Sequence, residues 1–143
     1  MRTLFVIAIL FLFTSASAPV EPKVFNAGST TLNVGALTGS TIFFRSLGFE
    51  QGSINVDLLV DANTTVAGDS LTAYLWGSNK YFNGATPTTA NATPLDTVVQ
   101  VGGDSYVSFD DQTIAHAYYA VTFSRVAPDT TTIKTITAYA KVY

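Results

Sequence analysis

The sequence predicts an all-β protein: a single antiparallel β-sandwich of about seven or eight strands, of immunoglobulin-like or jelly-roll type. Three observations carry this. Apolar residues alternate with period two in one segment after another, clusters of Gly, Asn, Asp, Ser and Pro separate those segments at short intervals, and no stretch sustains a 3.6-residue apolar stripe. Without helices to cross over, neighbouring strands must be antiparallel, and barrel closure is the lesser alternative. The 143 residues suit one domain with one core.

The elements follow in order. Arg2 precedes ten uninterrupted apolar residues, Leu4 to Phe13, and Thr14 to Ala18 then supplies an Ala-x-Ala pattern. Residues 1–18 therefore read as an export leader, since the apolar run falls short of the roughly 20 residues that span hydrocarbon. Pro19 disfavours cleavage after Ala18, which makes Ala16 the alternative. After removal no stable membrane span is expected, and the chain would be secreted, extracellular or part of a virion. Residues 19–35 form an N-terminal extension marked by Pro19, Pro22 and Gly35. It alternates only loosely, with a strand near Thr30 to Val34, and is a candidate for donation to the sheet of a neighbouring subunit.

Residues 36–143 are the sandwich domain. Ser53 to Asp61 is its clearest strand, with Ile54, Val56, Leu58 and Val60 on one side and Asn55, Asp57 and Asp61 on the other. Further strands are predicted over Thr41 to Leu47, Leu71 to Ser78, Thr97 to Val101, Ser105 to Phe109, Ala117 to Arg125 and Thr132 to Tyr143. The intervening segments, among them Asn83 to Pro94, Gly102 to Asp104 and Pro128 to Thr130, are rich in turn formers. Only Ile114 to Ala117 has room for a helical turn. In the last strand Thr132, Lys134, Ile136, Ala138, Ala140 and Val142 share one side and Ile133, Thr135, Thr137, Tyr139, Lys141 and Tyr143 the other. Both sides carry apolar groups, so this is either a central strand under a loop or a Tyr139–Tyr143 row set against another subunit.

Composition narrows the function. Charged residues are 12% of the chain against roughly 25% in average domains, and the formal charge is −3. A chain with a pI near 4.7 has no basic stripe for phosphate backbones or anionic lipid, so nucleic acid is not an expected partner. With no cysteine there is no disulfide framework, thiolate metal site or cysteine nucleophile. Threonine is the commonest residue, 21 in all, and gives the sheets wet faces of hydroxyls instead of charges. Such surfaces are weakly guarded against pairing with neighbours.

No enzyme is expected, and no cofactor or metal. His116, the single histidine, lies near Asp110 and Asp111 in sequence, yet no serine stands in a Gly-x-Ser-x-Gly elbow. Asp57 and Asp61 are about 13 Å apart along a strand, too far for a carboxylate pair unaided. Asp61, Asn63, Asp69, Asp104, Asp110 and Asp111 are the loop oxygens from which a calcium site would be built, but no calcium-loop motif joins them. Asn63-Thr-Thr65 and Asn91-Ala-Thr93 match the glycosylation acceptor. Tyr74 and Trp76 share a strand face and Tyr81 and Phe82 follow, a spacing of rings on which sugar could stack.

Thr38 to Leu47, Ile54 to Val60, Ala73-Tyr-Leu-Trp-Gly-Ser-Asn79, Val99 and Val101 before Gly102-Gly103, Ala117 to Phe123 and Thr131 to Ala138 together set an order of strands and turns. Over roughly residues 30–143 this order resembles small β-sandwich virion proteins of tailed bacteriophages. The resemblance implies a structural subunit. Two features depart from it: Gly77-Ser-Asn79 continues as Lys-Tyr-Phe, and the leader suits a cellular surface protein such as a filament subunit. The expected function is accordingly a non-enzymatic structural subunit of an extracellular or virion assembly, in contact with copies of itself or other assembly proteins. The alternative is a secreted glycan-binding module or adhesin domain using Trp76 and Tyr81. Tyr74, Trp76, Tyr81, Tyr139 and Tyr143 are the candidate contact residues.

Overall fold

The computed structural model describes residues 22–33, 38, 41–46, 52–63, 68–126 and 133–143. The expected leader, the turn at 128–130 and Thr64–Thr65 of the first acceptor motif lie outside them. Among the described residues eight strands form: β1 (Lys23–Leu32), β2 (Ile42–Arg45), β3 (Ser53–Ala62), β4 (Ser70–Ser78), β5 (Thr93–Val101), β6 (Ser105–Thr113), β7 (Tyr118–Val126) and β8 (Lys134–Val142). They make two four-stranded antiparallel sheets, a first of order β1-β8-β3-β6 and a second of order β2-β7-β4-β5. Within them β1 pairs with β8, β2 with β7, β3 with β6 and β4 with β5. That is one long hairpin wrapped over itself, the jelly-roll arrangement, and it decides between the two sandwich types.

Alternation determines what lies between the sheets. Ile54, Val56, Leu58 and Val60 of β3 are fully buried, as are Ile136, Ala138 and Ala140 of β8. From the second sheet Leu71, Ala73 and Leu75 of β4 and Tyr119, Val121 and Phe123 of β7 complete the core. Phe44 stacks on Tyr119 at 5.5 Å within the second sheet and meets Phe25 of the first edge-on at 6.3 Å, which seams the sheets where β1 lies beside β2. β8 is central, between β1 and β3.

Three strands are longer than alternation suggested, and bulges or an edge position explain each. β1 begins at Lys23 because a bulge at Asn26–Gly28, where Gly28 has φ +139° and its N–H is held by Asn26 Oδ1 at 2.8 Å, breaks the period. The segment expected as a donor is thus paired with β8 of its own chain, and the sandwich starts upstream of residue 36. β6 continues to Thr113 past a register shift opposite Ile54–Val56. β5 starts at Thr93 and accommodates Pro94 because an edge strand leaves that missing N–H unpaired. Ile114 to Ala117 is irregular chain and not a helical turn.

The inward phase of β7 and β8 also carries two cations into the interior. Arg125 continues the row of Tyr119, Val121 and Phe123, and Lys134 that of Ile136 and Ala138; both side chains are fully buried. Asp69, just before β4, takes Arg125 in a two-pronged bond, Nε to Oδ1 and the terminal nitrogen to Oδ2, each 2.9 Å. Lys134 Nζ lies 3.2 Å from Asp69 Oδ2 and donates to Gln100 Oε1 (2.7 Å) and Gly102 O (2.9 Å). Gln100 Nε2 closes the network on the carbonyls of Gly102 and Gly103. One carboxylate so joins both sheets and the β5–β6 hairpin at one end of the molecule.

Burial alone would raise the Asp69 carboxyl, but hydrogen bonds from Arg125 and Lys134 and the charges of both hold it below its ordinary value of 3.8. A folded value below the unfolded one means stabilisation that is complete above about 3.8 and is lost as pH falls through the folded value. Acid titration followed by circular dichroism should show stability falling only below that point. Asp69→Asn leaves two buried cations without their counter-charge and should cost about 3 to 5 kcal/mol in denaturant unfolding at neutral pH. It should also flatten the acid limb of the stability profile.

Candidate functional site

The outward phases of the two sheets make two faces of different chemistry, and the candidate residues divide between them. Tyr74, Trp76 and Tyr81 belong to the second sheet, Tyr139 and Tyr143 to the first. They are not one site.

On the second sheet Trp76 and Tyr74 share the outer face of β4, the Trp76 indole N–H donating to Thr122 Oγ1 of β7 at 2.9 Å. These side chains, with Thr38, Thr41 and Ser124, form the floor of a cleft of about 380 Å³. Its wall is Thr86 and Pro87, from the 79–92 connection that folds back over the sheet. That connection is braced at two points. Asn83 and Gly84, with φ +48° and +76°, form the tight turn closed by Ala85 N–H to Phe82 O at 2.9 Å. Asn91 Oδ1 accepts from Thr88 N–H at 2.7 Å and its Nδ2 donates to Thr86 O at 3.2 Å, so the amide of the second acceptor motif is part of the loop's own structure.

Tyr81 lies elsewhere. Phe82 is buried against Phe43 at 5.4 Å, and beyond that pair Tyr81 meets Tyr118 at 5.5 Å. The exposed Arg45 sits over both tyrosine rings, 5.8 and 5.3 Å from their centroids. The expected platform of Trp76 with Tyr81 is therefore divided by a structural stack, and the partners of Trp76 are Tyr74 and Thr122. Nothing local in the sequence brings Thr86 or Thr122 to Trp76; the loop turn and the β4–β7 register do.

The outer face of the first sheet carries Val24, Leu59, Tyr106 and Tyr143, with exposures of 56, 48, 58 and 44%. Leu59 and Tyr106 are direct cross-strand partners, and Tyr139 stands opposite Asp57 on β3. Between these apolar groups lies a short polar chain. Lys141 pairs with Asp57, and Ser108 Oγ lies 2.9 Å from Asp57 Oδ1. Burial pushes the Asp57 carboxyl up, but Lys141, Tyr106 and Ser108 bond to it and hold it below its ordinary value. The same contact raises Tyr106 and Lys141. Leu59 was legible as the second residue of Leu58-Leu59, apolar in the wet phase of β3; Tyr106 has no such signal.

His116 is at neither face. Its ring fills the place where Gly77 lacks a side chain: a Cβ there would lie 2.2 Å from His116 Cδ2. The imidazole stands edge-on to Tyr119 at 6.3 Å. Among the described residues His116 Nδ1 is buried without a hydrogen-bond partner, and the Tyr119 hydroxyl lies against the backbone of Ala115 and His116. Burial pushes the Tyr119 hydroxyl above its usual value. A base needs a nucleophile or substrate proton within about 3 Å and a group to orient it; Asp110 is with Ser108 on the first sheet instead. Of the candidate calcium oxygens, Asp69 is committed to Arg125 and Lys134, and Asp104 Oδ1 accepts from Ala62 N–H at 2.8 Å. Among the described residues no three acidic or histidine side chains gather as a metal site. No helix among them is long and apolar enough to cross a membrane.

Comparison with protein-family models and with curated protein sequences gives no match.

The packing of His116 on Gly77 has a measurable signature. Gly77→Ala should destabilise the fold by about 1 to 3 kcal/mol through overpacking. Most of that cost should vanish in a His116→Ala background, where the methyl meets space; a double-mutant cycle in urea reads the coupling.

Proposed function

We propose that the protein is a non-enzymatic structural subunit of an extracellular or virion assembly, and that it meets copies of itself through the outer face of its first sheet. The observation that carries this reading is the exposure of Val24, Leu59, Tyr106 and Tyr143 on one sheet face whose central charges, Lys141 and Asp57, are already paired with each other. Exposed apolar side chains on a sheet face are suited to contact with a neighbour, and tyrosines are favoured anchors in such contacts. The resemblance to small virion proteins points the same way.

Edges support faces as the mode of contact. β1 is bulged, β2 is four residues long, β5 carries Pro94 and a register shift, and β6 is bulged. Each is a known device against adding a strand. Four strands of nine or ten residues span about 30 Å by 19 Å, of the order of 600 Å² before side-chain relief. A standard interface uses about 800 Å² per partner. A single such contact is therefore weak, and a durable assembly would gather several by multivalency.

Sedimentation velocity and negative-stain microscopy test the reading. The wild-type chain should form concentration-dependent oligomers or regular particles. Leu59→Asp and Tyr143→Asp should each shift it to monomer with the thermal midpoint little changed. A disulfide between Ser29→Cys and Thr137→Cys, which face each other across β1 and β8, should leave assembly intact, whereas strand exchange would be blocked by it. A wild-type chain that stays monomeric at high concentration overturns the proposal.

A further inference from the structure

The cleft on the second sheet, on the side of the sandwich away from the proposed subunit contact, has the chemistry of a sugar site. Its volume of about 380 Å³ falls within the roughly 300 to 1,000 Å³ of small-ligand sites. Two aromatic side chains, Tyr74 and Trp76, share it with the hydroxyls of Thr86, Thr122 and Ser124, and no charged side chain is among its described lining residues. An ionic ligand would give up hydration there without meeting a counter-charge. A purely apolar ligand would strip water from the hydroxyls and return no bond.

A neutral pyranose satisfies both kinds of group. Its C–H face lies on an aromatic ring, and its hydroxyls, each donor and acceptor, match threonine and serine hydroxyls with the same double capacity. The cleft is also set before any ligand arrives. The bond from Trp76 to Thr122 fixes the indole, and Asn91, through Thr86 and Thr88, fixes the wall. Little ordering remains to oppose binding.

We propose that this cleft binds a neutral glycan, with a pyranose ring against Tyr74 and Trp76 and its hydroxyls on Thr86 and Thr122. The site is independent of the subunit contact, so an assembled particle would display one cleft per copy. Weak single-site binding would then add up across copies.

Trp76 is the only tryptophan of the chain, so its emission reports on this cleft alone. The full-length protein is titrated with maltohexaose, cellohexaose, laminarihexaose, xylohexaose and chitohexaose, followed by tryptophan fluorescence and calorimetry. Polygalacturonate and a polyproline peptide are run beside them. At least one neutral oligosaccharide should bind saturably and change the emission. Tyr74→Ala should weaken it about tenfold, a loss of roughly 1.4 kcal/mol in line with one aromatic contact, while Tyr81→Ala leaves it within about twofold. Thr86→Ala provides a second variant away from the sheet core and should weaken it too. The proposal is overturned if no neutral oligosaccharide binds, if polygalacturonate or polyproline alone does, or if Tyr74→Ala and Thr86→Ala, with unchanged melting, both bind as the wild type does.

Discussion

The buried carboxylate of Asp69 is the constraint on which one end of the sandwich depends. Inward phase puts Arg125 and Lys134 between the sheets, and neither can be left there without an anion. Asp69 is held beside them by its place at the mouth of β4, where its own carbonyl accepts Gly102 N–H at 3.0 Å. Gln100 then joins the lysine to the β5–β6 hairpin. Replacing the whole cluster by apolar side chains of similar volume would not obviously weaken the fold, since such pairs repay little more than their dehydration. What the cluster does is link one end of β7, through Arg125, to one end of β8, through Lys134, at a single carboxylate.

The two outer faces then follow from the same alternation. Where β3 and β8 turn hydrophobic groups inward, Leu59, Tyr139 and Lys141 must point out; where β4 and β7 do so, Trp76, Tyr74 and Thr122 must. All four edge strands carry a feature that blunts strand addition. One face is broad, tyrosine-rich and centred on a self-satisfied ion pair, and the other is split by the Phe43–Phe82 stack into an aromatic–arginine corner and a hydroxyl-lined cleft. A molecule built this way presents two outer faces of different chemistry.

Much of this was readable in the residues. The period-two runs of β3, β4, β7 and β8 marked strands because those strands have no interruption in their inner rows. Only the end of β1 is legible, since the bulge at Asn26–Gly28 shifts phase half-way, and β5 reads short because Pro94 looks like a terminator unless the strand is known to be an edge. The shared phase of Tyr74 and Trp76 is legible in the sequence; their partners are not, because Thr86 reaches the cleft through a loop and Thr122 through a neighbouring strand 46 residues on. Arg125 and Lys134 stood in apolar rows in plain view; only Asp69, 56 residues before Arg125, explains how they can be there. The placement of Tyr81 depended on the Asn83–Gly84 reversal and on Arg45, neither of which spacing conveys.

Wrapping a single hairpin over itself has one more geometric result. Lys23 lies opposite Val142, and the Tyr143 N–H reaches the Ser53 carbonyl at 3.1 Å. The start of β1 and the end of β8 therefore sit side by side at one corner of the first sheet. A tether attached at that corner would hang the molecule by its first sheet and leave the outer face of the second sheet uncovered.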